Sequence, residues 1–514
     1  MEPVQNPDRE GPRSGSEADS SARASISVTD KSTKELIEEL PVDDAAAVGL
    51  AAAAAREAQP KWAAIPPRQR AVLLKRARKS LVAARSEILD VLERETGKPR
   101  FDVVGELMSV CMDIGYFARR TRVWLRTRRV STRPLFGKRG RIFMKPRGLV
   151  GVIGPWNAPL TLTLGDAIPA LLAGNAVIVK PSEITPLAVR RAVEALNQVL
   201  PKGVLQVVVG AGETGAALVD QVDMIAVTGS PGTGRRVMRQ ASERLTPVLL
   251  ELGGKDPMIV LRDANIERAA RAAAWGSCFM TGQVCMSIER VYVEEPAAEA
   301  FRHALVEQMG QLRVGPNGPN ANIDLGPFTG PRQIEIIEAQ LEDAREKGAE
   351  VVLGGRRAAA DAGGDFYEPT LVAGVDHSMR MMREETFGPM LGLMVVKDAE
   401  EAVQLANDSE FGLNASVWTQ DIERGIQLAQ RLETGNVCVN DCVLSAGVLS
   451  LPFGGVKQSG VGARHGGPEG LLQFCVRQSV MIEKRDRLRE SAWFPYDPKR
   501  TEKFEKVLAW MFDR

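Results

Sequence analysis

Residues 148–245 read GLVGVIGPWNAPLTLTLGDAIPALLAGNAVIVKPSEITPLAVRRAVEALNQVLPKGVLQVVVGAGETGAALVDQVDMIAVTGSPGTGRRVMRQASERL. Short runs dense in Val, Ile and Leu alternate with amphipathic ones. Strands fall at 148–156, 175–182, 203–210 and 222–230, and helices at 167–174, 185–200, 213–221 and 231–245. The strands are apolar on both faces, so helices must cover both sides of the sheet they form. Strands separated by helical runs of about 10–15 residues define βαβ units, and the stretch predicts an α/β fold on a parallel sheet.

Upstream, residues 1–33 are polar, charged and poor in large apolar groups, the composition of a disordered tail. From Ala45 three helical stretches follow, with apolar residues at three- and four-residue intervals. RRVSTRPLFGKRGRIFMKPRG (128–148) is basic, β-branched and broken by Pro and Gly; it predicts a projecting strand pair, either a subunit contact or a nucleic-acid patch. Downstream of 254 a second α/β stretch runs to about 457. The C-terminal SAWFPYDPKRTEKFEKVLAWMF predicts an aromatic, amphipathic helix that covers a neighbouring opening, packs on a partner subunit or lies on a membrane surface.

The chain has 514 residues, 44% hydrophobic and 25% charged, and 66 Lys and Arg against 65 Asp and Glu give a formal net charge of +1. That balance gives no electrostatic drive toward nucleic acid or an anionic membrane. The three His (His303, His377 and His465) are far apart, which disfavours a metal site, and six Cys without a C-x-x-C pair are too few for a disulfide scaffold. With no stretch near ~18 apolar residues, the composition predicts a soluble, cytoplasmic protein.

Two glycine-rich turns follow strands. Gly210-Ala-Gly212-Glu-Thr-Gly215 is a literal G-x-G-x-x-G, and Gly229-Ser-Pro-Gly-Thr-Gly234 also opens a helix. Either is a phosphate cradle or a tight strand–helix turn. Four segments set reactive groups in apolar surroundings: GPWN (154–157), LELGGK (250–255), GQVC (282–285) and EETFGP (384–389). Singly, each has a plain structural reading. Asn157 caps a helix, Glu251 is a satisfied core carboxylate, Cys285 a small buried hydrophobe and Phe387 core.

Together, and in this order, these segments with KPSE (180–183), VTGSPGTG (227–234) and PFGGVKQSGVG (452–462) resemble the aldehyde dehydrogenase superfamily, over about residues 34–486. SIERVYVEE, FGLNASVW and GVGARHGGPEGLL are similar to its bacterial succinate-semialdehyde dehydrogenase branch. The resemblance implies a Rossmann-type NAD-binding domain (34–127 and 147–253), a catalytic domain (254–457), a β oligomerisation arm (128–146 and 467–486) and a C-terminal extension (487–514), assembled as a homodimer or homotetramer.

By the same resemblance, Cys285 attacks the aldehyde carbonyl as a thiolate. The Asn157 amide and the Cys285 backbone N–H hold the thiohemiacetal oxyanion. After hydride leaves for the nicotinamide, Glu251 activates the water that hydrolyses the thioester. No metal is implied. Lys180 and Glu183 match adenine-ribose contacts, Trp156 and Ser230 with the Gly229–Gly234 turn the pyrophosphate side, and Ser182 and Leu252 further cofactor contacts. Glu385 and Phe387 match contacts to the nicotinamide end. Gly210 lies near the adenine, so the literal motif is the lesser site. A carboxylate at Glu183 repels a 2′-phosphate, which favours NAD, with NADP also admitted.

The segments expected near the substrate, 158–166, 276–287 and 440–451, contain Leu160, Leu162, Leu164, Phe279, Met280 and Val284 and no Lys, Arg or His. A distal carboxylate would lack a partner there unless Arg290 reaches in. The expected substrate is therefore an apolar aliphatic or aromatic aldehyde. The alternatives are succinic semialdehyde, or a silent family member acting as a binding protein.

Overall fold

The computed structural model describes residues 24–133, 135, 137–318, 321–330, 332–358, 363–462, 466–485, 488–490 and 493–513. They form two units: one comprises the chain to Trp124 and from Pro146 to Cys475, the other Leu125–Lys145 and Val476 onward.

In the larger unit, β1 (Ser25–Thr29) pairs antiparallel with β2 (Leu36–Pro41), with Val28 and Leu40 buried. β1 lies inside the stretch read as tail from its composition; a polar strand with one buried Val satisfies its backbone through its partner. Residues 1–23 of that reading lie outside the described residues. Four helices follow: α1 (Ala45–Ala64), α2 (Pro67–Ala83), α3 (Arg85–Thr96) and α4 (Arg100–Trp124). α1 starts where Asp44 accepts from the Ala47 amide, and α3 ends at Gly97 with φ 79°, the left-handed stop that glycine makes without strain.

After a strand pair described below (β3, Arg128–Val130; β4, Lys138–Pro146), the alternating stretch folds as β5 (Leu149–Ile153), α5 (Pro159–Ala173), β6 (Ala176–Lys180), α6 (Leu187–Asn197), β7 (Leu205–Val207), α7 (Gly212–Gln221), β8 (Met224–Thr228), α8 (Pro231–Ser242) and β9 (Val248–Glu251). The strand order is β9-β8-β5-β6-β7, all parallel, with Gly460–Val461 antiparallel on the β9 edge. β6 and β8 are buried along their whole length, as two covered faces require.

A second sheet of seven strands is centred on β10 (Asp256–Val260) and β11 (Ile288–Glu294), with α9 (Ile266–Cys278) between them. Its pairs are parallel except the outermost, Glu350–Leu353 with Thr370–Ala373.

In the smaller unit β4 is flanked by β3 and by the strand Cys475–Glu483, and Lys138 holds Glu483 and Glu490, each at 2.8 Å. Residues 467–475, read in the sequence as part of the arm, belong instead to the larger unit. There Leu471 and Phe474 are fully buried, and Asn175 Nδ2 donates to the Phe474 carbonyl at 3.0 Å. The C-terminal helix, Pro498–Phe512, buries none of its residues. No helix among the described residues is long and apolar enough to cross a membrane.

Candidate active site

Sharp turns at the carboxyl ends of β5, β8 and β9 leave a cleft of about 490 Å³, where open α/β sheets bind their ligands. Trp156 and Asn157 follow β5, Gly229 and Ser230 follow β8, and Leu252 and Gly253 follow β9; Cys285, Glu385 and Phe387 complete the wall. α8 begins at Ser230, whose hydroxyl accepts from the Thr233 amide at 3.3 Å, with Pro231 at its first position. Its free amides and dipole face the cleft, an anion-binding end. Gly234 lets Leu252 close on the helix, since a Cβ there would stand 2.7 Å from the Leu252 side chain.

Lys180, Ser182, Glu183 and Gly210 do not line the cleft. They lie together beside it: Lys180 Nζ donates to the Gly210 carbonyl at 2.6 Å and sits 3.7 Å from Glu183. Burial lowers the Lys180 pKa while Glu183 opposes the shift. The literal motif at 210–215 serves the fold. A Cβ on Gly210 would collide with the Thr214 hydroxyl, which donates to the Asp43 carbonyl at 2.8 Å.

Cys285 stands on a loop of unusual backbone. Met280, Thr281 and Gly282 take φ of 51°, 59° and 69° in succession, and a Cβ on Gly282 would lie 2.2 Å from the Gly388 backbone. Two non-glycine residues in this region carry strain that the surroundings must hold. Thr281 donates to the Gly326 carbonyl at 3.1 Å, and Gln283 accepts from the Thr329 amide at 3.1 Å. The two glycines of LELGGK divide their work: a Cβ on Gly254 would meet the Cys285 carbonyl at 2.3 Å, and one on Gly253 would meet Glu385 at 2.4 Å. Burial pushes the Cys278 and Cys442 thiols up to about 12, so neither presents a thiolate at neutral pH.

Asn157 Nδ2 donates to the Gln283 carbonyl at 2.8 Å, tying it to the cysteine loop. Its own carbonyl accepts from Lys98 Nζ at 2.8 Å. Lys98 is ion-paired with Glu106, which also accepts from the Leu160 and Thr161 amides opening α5 at 3.1 and 3.3 Å. Asp102, one turn before Glu106, accepts from the Met280 amide, and burial pushes its carboxyl up to about 7. The start of α4 thus grips both Asn157 and the cysteine loop.

The EETFGP loop is held likewise. Buried Lys255 pairs with Glu289, whose carboxylate accepts from the Thr386 and Phe387 amides at 2.8 and 2.9 Å. Phe387 sits at φ 55° with its ring 5.3 Å from Trp156, edge to face. Glu385 accepts from the Gly254 amide at 2.9 Å; burial, then the neighbouring Glu289 charge, pushes it up to about 8. Sequence reasoning passed over Lys98, Glu106, Lys255, Glu289 and the cleft residue Arg332.

A second cavity of about 160 Å³ shares Asn157, Leu162 and Cys285 with the cleft and adds Glu251, Asp113, Phe279, Met280, Val284 and Phe453. Its described lining carries no Lys, Arg or His. Leu160 and Leu164 do not line it: two residues either way from Leu162, they lie on the opposite face of α5 and are fully buried. Arg290 is buried elsewhere, donating to the Lys255, Leu405 and Ala406 carbonyls and to Tyr292. No group of three or more His, Cys, Asp or Glu among the described residues could hold a metal ion.

Fold and cleft together fit a nucleotide-using oxidoreductase. The chain belongs to the aldehyde dehydrogenase family: the model of the Aldehyde dehydrogenase family matches residues 18–480. It is 40% identical over 484 residues to 4,4'-diapolycopene aldehyde oxidase of Methylomonas sp, covering 93% of this chain and 89% of that protein. It is 39% identical over 466 residues to a putative succinate-semialdehyde dehydrogenase [NADP(+)] 2 of Mycobacterium ulcerans, covering 90% and 89%. The structure matches betaine aldehyde dehydrogenase from Staphylococcus aureus in complex with NAD+ and with a BME-modified cysteine, at TM-score 0.87, 30% identity and coverage of 92% and 96%. This chain is accordingly an aldehyde dehydrogenase that uses NAD(P).

Proposed function

We propose that this enzyme oxidises apolar aliphatic or aromatic aldehydes to carboxylic acids, with NAD preferred over NADP. The observation that carries the reading is one cavity in which Cys285, Asn157 and Glu251 meet against walls whose described residues lack any cation. Cys285 Sγ adds to the aldehyde carbon. The Asn157 amide and the Cys285 N–H take the oxyanion, and Glu251 removes a proton from the water that releases the acid.

The cleft fits a dinucleotide by its donor set. The amides of α8 and the Trp156 side of the cleft suit a pyrophosphate, Glu385 and, beside the cleft, Glu183 suit ribose hydroxyls, and the Phe387 ring borders the nicotinamide end. When bound, the nicotinamide supplies the hydride acceptor. Glu183, 43% exposed at its side chain, would meet a 2′-phosphate with like charge, which supports NAD.

Succinic semialdehyde, the substrate in the name of the mycobacterial relative, would set its carboxylate beside Asp113 and Glu251, which disfavours it. Six free cysteines and the three-stranded arm support a homo-oligomer in a reducing compartment, the cytoplasm.

The test is NADH formation from hexanal, decanal, benzaldehyde and succinic semialdehyde, with Cys285→Ala alongside. Turnover of the apolar aldehydes that this variant abolishes is expected. A strong preference for succinic semialdehyde would overturn the substrate class, and no turnover with either dinucleotide would leave a silent binding protein.

A further inference from the structure

Beyond the catalytic cavity lies an outer groove of about 470 Å³, and the two share Leu449. α4 supplies walls to both: Ser109 and Asp113 face the inner cavity, while Met108, Met112 and Arg119 face the groove. Arg78 of α2 and Arg120 complete a trio of guanidiniums there. Arg78 donates to the Cys111 carbonyl at 3.3 Å, and Arg120 lies 4.1 Å over the Tyr116 ring, so two of the three are held in place. None of the three forms an ion pair among the described residues, which leaves three cations side by side without a carboxylate partner.

The inner cavity of about 160 Å³ holds roughly five water-sized groups at ~30 Å³ each. An aldehyde longer than about six heavy atoms therefore leaves it past Leu449. The groove then offers an apolar strip, Met108 and Met112, ending at cations. A short carboxylate would be stranded beside Asp113, whereas a long one clears it.

We propose that Arg78, Arg119 and Arg120 form a subsite for the distal carboxylate of a long-chain aldehyde, so that ω-carboxy aldehydes of about ten carbons or more are preferred over methyl-ended ones. The inference rests on the oxidation of apolar-chained aldehydes proposed above. Guanidinium forks match a carboxylate edge, and partly exposed pairs of this kind together supply about a tenfold preference.

The experiment compares kcat/KM for 12-oxododecanoate with dodecanal, and for succinic semialdehyde with butanal. It uses the whole enzyme and the variant Arg78→Met/Arg119→Met/Arg120→Met, with Arg78→Lys as a folding control. The expected result is about a tenfold advantage for 12-oxododecanoate, carried by KM, erased in the triple variant and shrinking with salt. Dodecanal should be unaffected by the substitutions, and succinic semialdehyde should gain nothing over butanal. Equal kcat/KM for carboxylate and methyl tails, or a preference untouched by the triple variant, would overturn the proposal. Calorimetric titration with dodecanedioate separates the two readings, because it needs no turnover. Binding lost in the triple variant upholds the subsite even if dodecanal is not oxidised, and equal or absent binding in both refutes it.

Discussion

Replacing Lys98 by Met tests how the anchoring of Asn157 divides between stability and catalysis. Lys98 and Glu106 are both buried at 2% exposure, and the ammonium also donates to the Asn157 carbonyl. Removing one partner of such a pair leaves a buried uncompensated charge, at about 3–5 kcal/mol. The Leu160 and Thr161 amides still donate to Glu106, and bonds to a charged group, about 1.5–3 kcal/mol each, hold the loss toward the lower figure. Lys98→Met should therefore destabilise by about 3 kcal/mol. Adding Glu106→Gln removes the stranded charge and restores much of that loss. Neither variant returns the donor to the Asn157 carbonyl. The Asn157 amide, proposed above to take the oxyanion, then loses its fixed aim, and kcat should fall about tenfold in both, below the 10²–10³ that deleting an oxyanion donor costs. Urea unfolding and steady-state NADH formation are measured on the same preparations, with the rate of Cys285 alkylation as a check that the thiol itself is intact. Recovery of kcat in step with stability in the double variant would refute the reasoning, because activity would then follow folding alone.

Other outcomes follow from the same geometry. Glu251→Gln should give a burst of about one NADH per site and then slow turnover, since acylation precedes the step that needs the base; a slow first turnover would contradict its assignment. Glu183→Gln should raise the ratio of kcat/KM for NADP over NAD about tenfold by removing a like charge; an unchanged ratio would place the 2′-hydroxyl elsewhere. Burial and Glu289 hold Glu385 up to about 8, so the carboxylate form, proposed above to accept from the ribose, grows as pH rises. KM for NAD should fall between pH 6.5 and 9, levelling above about 8, and Glu385→Gln should flatten that profile; a profile identical to wild type would exclude Glu385 as its source. Gly282→Ala, with a Cβ 2.2 Å from the Gly388 backbone, should displace the cysteine loop and lower both stability and kcat, read by thermal unfolding and NADH formation.

What was legible in the sequence was periodicity and local chemistry. β6 and β8 declared themselves because both faces are covered, which leaves no polar alternation. The pair of glycines in LELGGK was readable as close backbone approach, although only the fold says that one faces Glu385 and the other Cys285. Lys98 and Glu106 were not legible. Asn157, the partner of Lys98, is 59 residues away, and the ion pair crosses from a loop to the second turn of α4. Glu289 was hidden because it lies within β11, and its carboxylate serves the loop at 386–387 rather than its own sheet. The literal G-x-G-x-x-G misleads for a physical reason: its first glycine makes room for Thr214, not for a phosphate. Leu160, Leu162 and Leu164 look alike in sequence, and only the rotation of α5 separates the one that lines the cavity.

The two chambers that meet at Asn157, Leu162 and Cys285 give the enzyme two doors rather than one. On the proposed assignment the dinucleotide takes one chamber and the aldehyde the other, so neither would block the other's way in or out. Glu251 belongs only to the aldehyde's chamber. With Glu251 in its proposed role, water and the departing acid would use the passage the aldehyde used, and hydrolysis would need no prior departure of the dinucleotide.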